Sequence, residues 1–285
     1  MLVPFLVIAL VLGVLTIRQA QETRRVSFAP VQFLLMAAGF VALVFATNAA
    51  STSAWISPEV LGLFVLLSRR SDNPLLRVRI FTDCTYALSI VYVVLIQAAV
   101  LARGYLIPYF AQVGKSMDSF AAGCLLLPGC IIGALLTPFS GGILDCFGPM
   151  RPILTGAAIG VVTLVFFAVL GVHGSGAPLA LIYALFPIRQ GLSVSNSMTN
   201  GLRSLPDDLQ ADGNAAFNTI QQLGGAIGTA VATAIVNAAE ATDPVAGTTT
   251  STQLSFHILL GAGVVAFIAA LGVFIQPGRP AGDPS

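Results

Sequence analysis

Ten of the thirteen Lys and Arg residues fall in every second gap between apolar runs, a periodicity expected of a chain threaded back and forth across a bilayer. Arg18, Arg24 and Arg25 follow the first run, Arg69, Arg70, Arg77 and Arg79 the third, and Arg151, Arg203 and Arg279 the fifth, seventh and ninth. The intervening gaps hold Lys115 alone. Short loops rich in Lys and Arg stay in the cytoplasm, so the pattern predicts nine crossings, an outer N-terminus and a cytoplasmic C-terminus.

Composition points the same way. The sequence is 56% hydrophobic and 9% charged, against about 25% charged in a soluble domain. A net charge of +1, spread over loops, excludes the basic patch that a nucleic-acid partner requires. Cys124 and Cys130 lie inside an apolar run and Cys84 and Cys146 at span edges, with neither a disulfide framework nor metal-ligand spacing. His173 and His257 have no nucleophile or metal-spaced partner near them in sequence. The sequence therefore predicts no enzyme, no metal and no cofactor, and lipid as the principal partner.

About 20 apolar residues cross the ~30 Å hydrocarbon core. On that measure helices are expected near 2–17, 31–49, 55–67, 85–110, 119–144, 152–172, 177–200, 214–239 and 254–275. All are helices because backbone polar groups in lipid must be satisfied within the segment, and the runs lack a barrel strand's alternation. The third is short and contains Pro58 and Glu59, yet without it every later loop charge would change sides. The first has no positive residues before it, unlike a signal peptide, and reads as a retained span. The stretch 69–84, with Asn73-Pro74 and four arginines, is a cytoplasmic linker, and 277–285 a Pro/Gly-rich disordered tail.

Polar side chains inside spans are expensive in lipid and turn toward a cavity or a bundle interior. Arg189, Ser193, Asn196 and Asn200 recur at i, i+4, i+7 and i+11 on the seventh span; Asn214, Asn218 and Gln222, with Gln221 beside them, form a second row on the eighth. Gln97 is a further candidate on the fourth. These nine residues are the expected substrate path, lined from helices predicted to be antiparallel neighbours. Arg189 follows Pro187, whose missing N–H permits a kink; its cation calls for an anion, freed carbonyls or water. Arg103 lies nearer the outer leaflet, where it could snorkel. No Asp or Glu lies deep in a span. Gly129/Gly133, Gly156/Gly160 and Gly224/Gly228 have the spacing of close-packing helix faces.

The most specific local string runs Gly141-Gly142-Ile143-Leu144-Asp145-Cys146-Phe147-Gly148-Pro149-Met150-Arg151. It resembles the Gly-x-x-x-Asp-Arg-x-Gly-x-Arg-Arg cytoplasmic loop of the major facilitator superfamily, with Cys146 and Met150 in place of two basic residues. Asp72-Asn73-Pro74 with Arg77-Val78-Arg79 resembles the linker before the C-terminal six-helix domain of that superfamily's 14-span drug:proton antiporters. Pro108 to Gln112, Ala122 to Gly129, and Asn214 to Gly228 resemble that domain's first, second and fifth spans. The resemblance implies an all-α transmembrane bundle in five parts: 1–20 the last helix of an N-terminal bundle, 21–68 two extra helices with the second shortened, 69–84 the linker, 85–276 the C-terminal six-helix domain, and 277–285 the tail. It implies a multi-pass cell-membrane (inner-membrane) permease exporting small amphipathic compounds against protons, with Gly141, Asp145, Gly148 and Arg151 as a cytoplasmic gate loop. It also implies that five spans and the titrating acid lie elsewhere, in a missing N-terminal half or a second copy. The alternatives are a non-transporting scaffold or a decayed fragment.

Overall fold

The computed structural model describes residues 78–172, 176–240 and 244–275. The first three expected spans, residues 69–77 of the linker and the tail lie outside the described residues. Within them the chain is helical and no strand forms, in keeping with the all-α expectation.

A 3-10 turn, Val78–Thr82, leads into α1, Cys84–Val113. Asp83 caps α1 by accepting from the Tyr86 N–H at 2.8 Å, satisfying one of the donors a helix start leaves free. The second crossing, Ser119–Phe147, is one continuous apolar run in sequence but three helices in space: α2 (Ser119–Cys124), α3 (Leu127–Leu136) and α4 (Ser140–Phe147). Pro128 sits in the first turn of α3, and Pro138 in the 3-10 turn Thr137–Phe139 before α4. Each lacks the N–H that would have carried the helix through. Helix α5, Met150–Leu170, follows a turn at Gly148, whose φ of 69° favours glycine.

The next helical stretch is also broken. Helix α6, Gly176–Arg189, contains Pro187; a π-helical turn, Gln190–Val194, follows, then α7, Ser195–Arg203. Helices α8, Asp207–Glu240, and α9, Pro244–Ile275, complete the described chain. Five of the helical stretches, Cys84–Val113, Ser119–Phe147, Met150–Leu170, Asp207–Glu240 and Val245–Ile275, are long and apolar enough to cross a membrane. Two begin well before the apolar runs that announce them. Helix α8 starts with Asp207 and Asp208, acids that suit a helix N-terminus. The first turns of α9 are rich in Ser and Thr, with Thr249 donating to the Val245 carbonyl and Thr250 to that of Ala246. A hydropathy criterion stops where such polar turns begin, so 214–239 and 254–275 understate both helices.

Helix α1 packs along α8 and α9, α5 against α9 and α6, and α3 against α6. Glycines set the closest contacts. A Cβ at Gly224 would stand 2.8 Å from the Val94 carbonyl oxygen, and one at Gly228 would strike the backbone of Ala98, so α8 meets α1 almost backbone to backbone. Gly129 and Gly133 receive Tyr183 and Pro187 of α6; Gly156 and Gly160 of α5 receive Ser193 and Arg189. Small residues let helices approach in this way where lipid supplies no hydrophobic drive. The apolar interior forms two clusters at different depths, one around Phe110, Phe167 and Phe256, the other around Tyr92, Ile153, Phe217 and Ala270.

Candidate functional site

The polar seam is assembled around the π turn. Ser193 is fully buried and donates to the Ile153 carbonyl of α5 at 2.8 Å. Its one proton is thereby used, so Tyr92 of α1, 2.5 Å away and also fully buried, donates to the Ser193 oxygen. Ser140, at the start of α4, donates to the Gly191 carbonyl inside the π turn and lies 3.3 Å from Asn196 Oδ1; Asn196 donates to the Leu192 carbonyl at 2.8 Å. The seam ties α1, α4, α5 and α6–α7 together through one irregular turn, a kind of feature frequent at functional sites.

Two cations lie next to it. Arg189 ends α6 and is fully buried; its Nε, Nη1 and Nη2 have no hydrogen-bond partner among the described residues. The carbonyls freed by Pro187 do not hold it. Arg103 is equally buried, with Nε and Nη1 unpartnered, so it does not snorkel to the interface as its depth suggested. Both guanidinium groups instead lie over Phe186: the Arg103 carbon is 2.9 Å from the ring centre and the Arg189 carbon 3.8 Å. Phe167 and Tyr183 are 5.7 and 5.6 Å from Arg103. Gly160 makes this possible, since a Cβ there would collide with the Arg189 side chain. A desolvated cation–π contact contributes about 2 kcal/mol. Leaving a buried charge without its partner costs about 3–5 kcal/mol. One shared ring therefore does not balance two guanidinium groups.

The second predicted row behaves differently. Asn214, Asn218 and Gln222 are exposed on α8, with Asn218 Nδ2 donating to the Asn214 carbonyl at 2.9 Å and lying 3.2 Å from its Oδ1. Gln221 is half-buried and donates to Gln97 Oε1 at 3.3 Å across the α1–α8 contact. The structure thus brings together Arg189, Ser193 and Asn196 in the bundle interior, and Gln97 with Gln221. It leaves Asn200 half-buried on α7 and Asn214, Asn218 and Gln222 on an open face. Among the described residues no side-chain hydrogen bond joins the two rows.

In the expected gate loop, Gly141, Asp145 and Arg151 are exposed, and Gly148 forms the turn between α4 and α5. No ion pair closes between Asp145 and Arg151. The carboxylates with clear structural roles lie at helix ends. Asp83 accepts from Ser204 at 2.7 Å at one end of the bundle; Glu240 accepts from Tyr109 at 2.8 Å and Thr248 at 2.5 Å at the other.

A family model described as Major Facilitator Superfamily matches residues 1–229. The chain belongs to the major facilitator superfamily. It is 32% identical over 247 residues to a Listeria monocytogenes protein named lincomycin resistance protein LmrB, covering 83% of this chain and 52% of that one. A Bacillus subtilis protein of the same name is 30% identical over 294 residues, covering 96% and 61%. A Mycobacterium tuberculosis protein named multidrug resistance protein Stp is 26% identical over 180 residues, covering 62% and 33%. The chain spans about half the length of the first of these relatives. As a member of this superfamily it is a multi-pass membrane protein, and its apolar helices are of the length and composition that crossing requires.

Tyr92 and Ser140 in the seam, and Phe186 beside it, are site residues of this superfamily member that its sequence pattern does not mark. Tyr92 and Phe186 stand in unbroken apolar runs, where an aromatic ring carries no polar signal. Arg103 does carry one, but depth along a helix does not give the face, and this face is fully buried.

Proposed function

We propose that this chain is the larger, C-terminal part of a major facilitator exporter of small amphipathic compounds, working against an opposing helical bundle and coupled to protons. The observation that carries the reading is the exposed amide row Asn214, Asn218, Gln222 on a helix long enough to cross the membrane. Primary amides facing hydrocarbon are costly. A face of this kind is served by water in a central path or by a second protein surface. The superfamily's mechanism, two bundles rocking about a midplane site, supplies both in turn. In this reading the amide row, with Gln97, Gln221 and Asn200, lines the path, while the buried seam of Arg189, Ser193 and Asn196 stiffens the wall behind it. Asp145, Gly148 and Arg151 lie free to meet the opposing bundle as a gate loop at the cytoplasmic side, and the C-terminus is cytoplasmic. The resistance named for the Listeria and Bacillus relatives is to lincomycin, which makes antibiotic-like amphipaths the substrate class to try. The opposing bundle comes from a longer form of this chain, a separate polypeptide or a second copy.

Thiol accessibility tests the amide row. In a background lacking Cys84, Cys124, Cys130 and Cys146, cysteines placed at 214, 218 and 222 should react with water-soluble thiol reagents when an opposing bundle is co-expressed, and react less in membranes carrying the chain alone. Cysteines at Val265 and Ile268, exposed apolar positions on α9, should stay unreactive throughout. Equal inertness at all five positions would remove the aqueous-path reading.

A further inference from the structure

We propose that Arg103 and Arg189 together bind one small monoanion inside the bundle, held between two guanidinium groups that share the Phe186 ring. The two side chains come from different helices, α1 and α6, and both are fully buried. Each lies against the same ring, at 2.9 and 3.8 Å, so the two cationic carbons are separated by no more than the sum of those distances. Five of their nitrogen atoms, Nε and Nη1 of Arg103 and all three of Arg189, have no hydrogen-bond partner among the described residues. No described carboxylate forms an ion pair with either. Two like charges held this close in a dry interior repel each other, and the Phe186 ring they share, with Phe167 and Tyr183 farther from Arg103, offers only a partial counterweight.

A monoanion between them resolves both problems, because it neutralises the repulsion and accepts from the orphaned N–H groups. Guanidinium forks suit a carboxylate bidentately and also accommodate a halide. The ligand chemistry is therefore a small monoanion, supplied either as a free inorganic ion or as the carboxylate of an organic solute. Gly160 gives Arg189 its place beside Phe186, since a Cβ there would collide with the Arg189 side chain. The site lies beside the Tyr92–Ser193 bond, so filling it also fixes the π turn.

The test is thermal unfolding of the purified full chain in detergent, at constant ionic strength, with chloride or acetate titrated in place of bulky isethionate. The expected result is a saturable binding isotherm whose stabilisation, a few degrees in Tm, keeps rising logarithmically beyond Kd. Arg103→Gln and Arg189→Gln should each lose most of that shift, while Arg151→Gln, exposed in the loop, should keep it. Response to both anions assigns the site to an inorganic ion; response to acetate alone assigns it to a solute carboxylate. Should the glutamine variants not fold, equilibrium dialysis of the unaltered chain against labelled chloride and acetate reads the same claim, with one site per chain expected. An unaltered chain indifferent to both anions, or a shift that survives in the Arg103→Gln/Arg189→Gln double variant, would overturn the proposal. Binding is read here without transport, so its failure leaves the export reading standing.

Discussion

Removing the Tyr92–Ser193 hydrogen bond isolates the energetic weight of the seam. Tyr92→Phe deletes the donor while leaving Ser193 bonded to the Ile153 carbonyl; Ser193→Ala deletes the acceptor and strands a fully buried phenol. In water, a buried polar group left unpaired costs about 1–3 kcal/mol. In a membrane protein the unfolded chain also finds partners within the bilayer, and measured interhelical bonds average about 0.6 kcal/mol with a maximum near 1.7. Full burial of both hydroxyl-bearing residues inside a closed four-element seam argues for the upper part of that membrane range. Ser193→Ala, which also removes the bond to the Ile153 carbonyl, should therefore cost about 1.5–2 kcal/mol and Tyr92→Phe about 1. The double variant should be little worse than Ser193→Ala alone, because one bond is lost only once; the coupling is then about 1 kcal/mol. Thermal unfolding of the four proteins in one detergent reads this as Tm shifts of about 2–4 °C per kcal/mol for a chain of this size. Strictly additive single effects would show that the two hydroxyls do not interact, and would refute the seam as a cooperative unit.

Other substitutions probe the packing and the topology. Gly224→Ala sets a Cβ 2.8 Å from the Val94 carbonyl oxygen and should destabilise by about 1–3 kcal/mol, whereas Gly261→Ala on α9, with nothing within 4 Å of the new atom, should hold or raise Tm in the same melt. Gly148→Ala forces a φ of 69° on a residue with a side chain and should cost about 1–2 kcal/mol, read again as a lower Tm. Cysteine labelling of intact cells should reach a Cys at Thr249 and miss one at Asp208 or Gly282; outside labelling at 208 would invert the assigned orientation.

Apolar runs announced the helical stretches that the structure describes, because in lipid length and hydropathy are nearly sufficient for a helix. They did not announce where helices continue into polar turns, as at Asp207–Gly213 and Pro244–Gln253. Nor did they reveal the π turn at Gln190–Val194, which leaves no mark of its own in the sequence. The row Arg189, Ser193, Asn196 was legible as one face, since burial makes polar residues in a span stand out. What it faces was not, because the answer depends on Tyr92 and Ser140, brought in by two other segments, and on Phe186, one turn back from Arg189 on its own helix. Periodicity alone also could not separate that row from Asn214, Asn218 and Gln222, which share its spacing but lie on an open surface.

The central claim is that this chain supplies one side of a two-sided transporter. Its most direct test is proton-gradient-driven efflux of lincomycin, or of a fluorescent amphipath, in everted membrane vesicles carrying the chain alone or together with an N-terminal bundle of a related permease. The account predicts insertion without efflux for the chain alone, and uncoupler-sensitive efflux once the opposing bundle is present. Robust, uncoupler-sensitive efflux by the chain alone, with no second bundle and no self-association detectable by cross-linking, would contradict it.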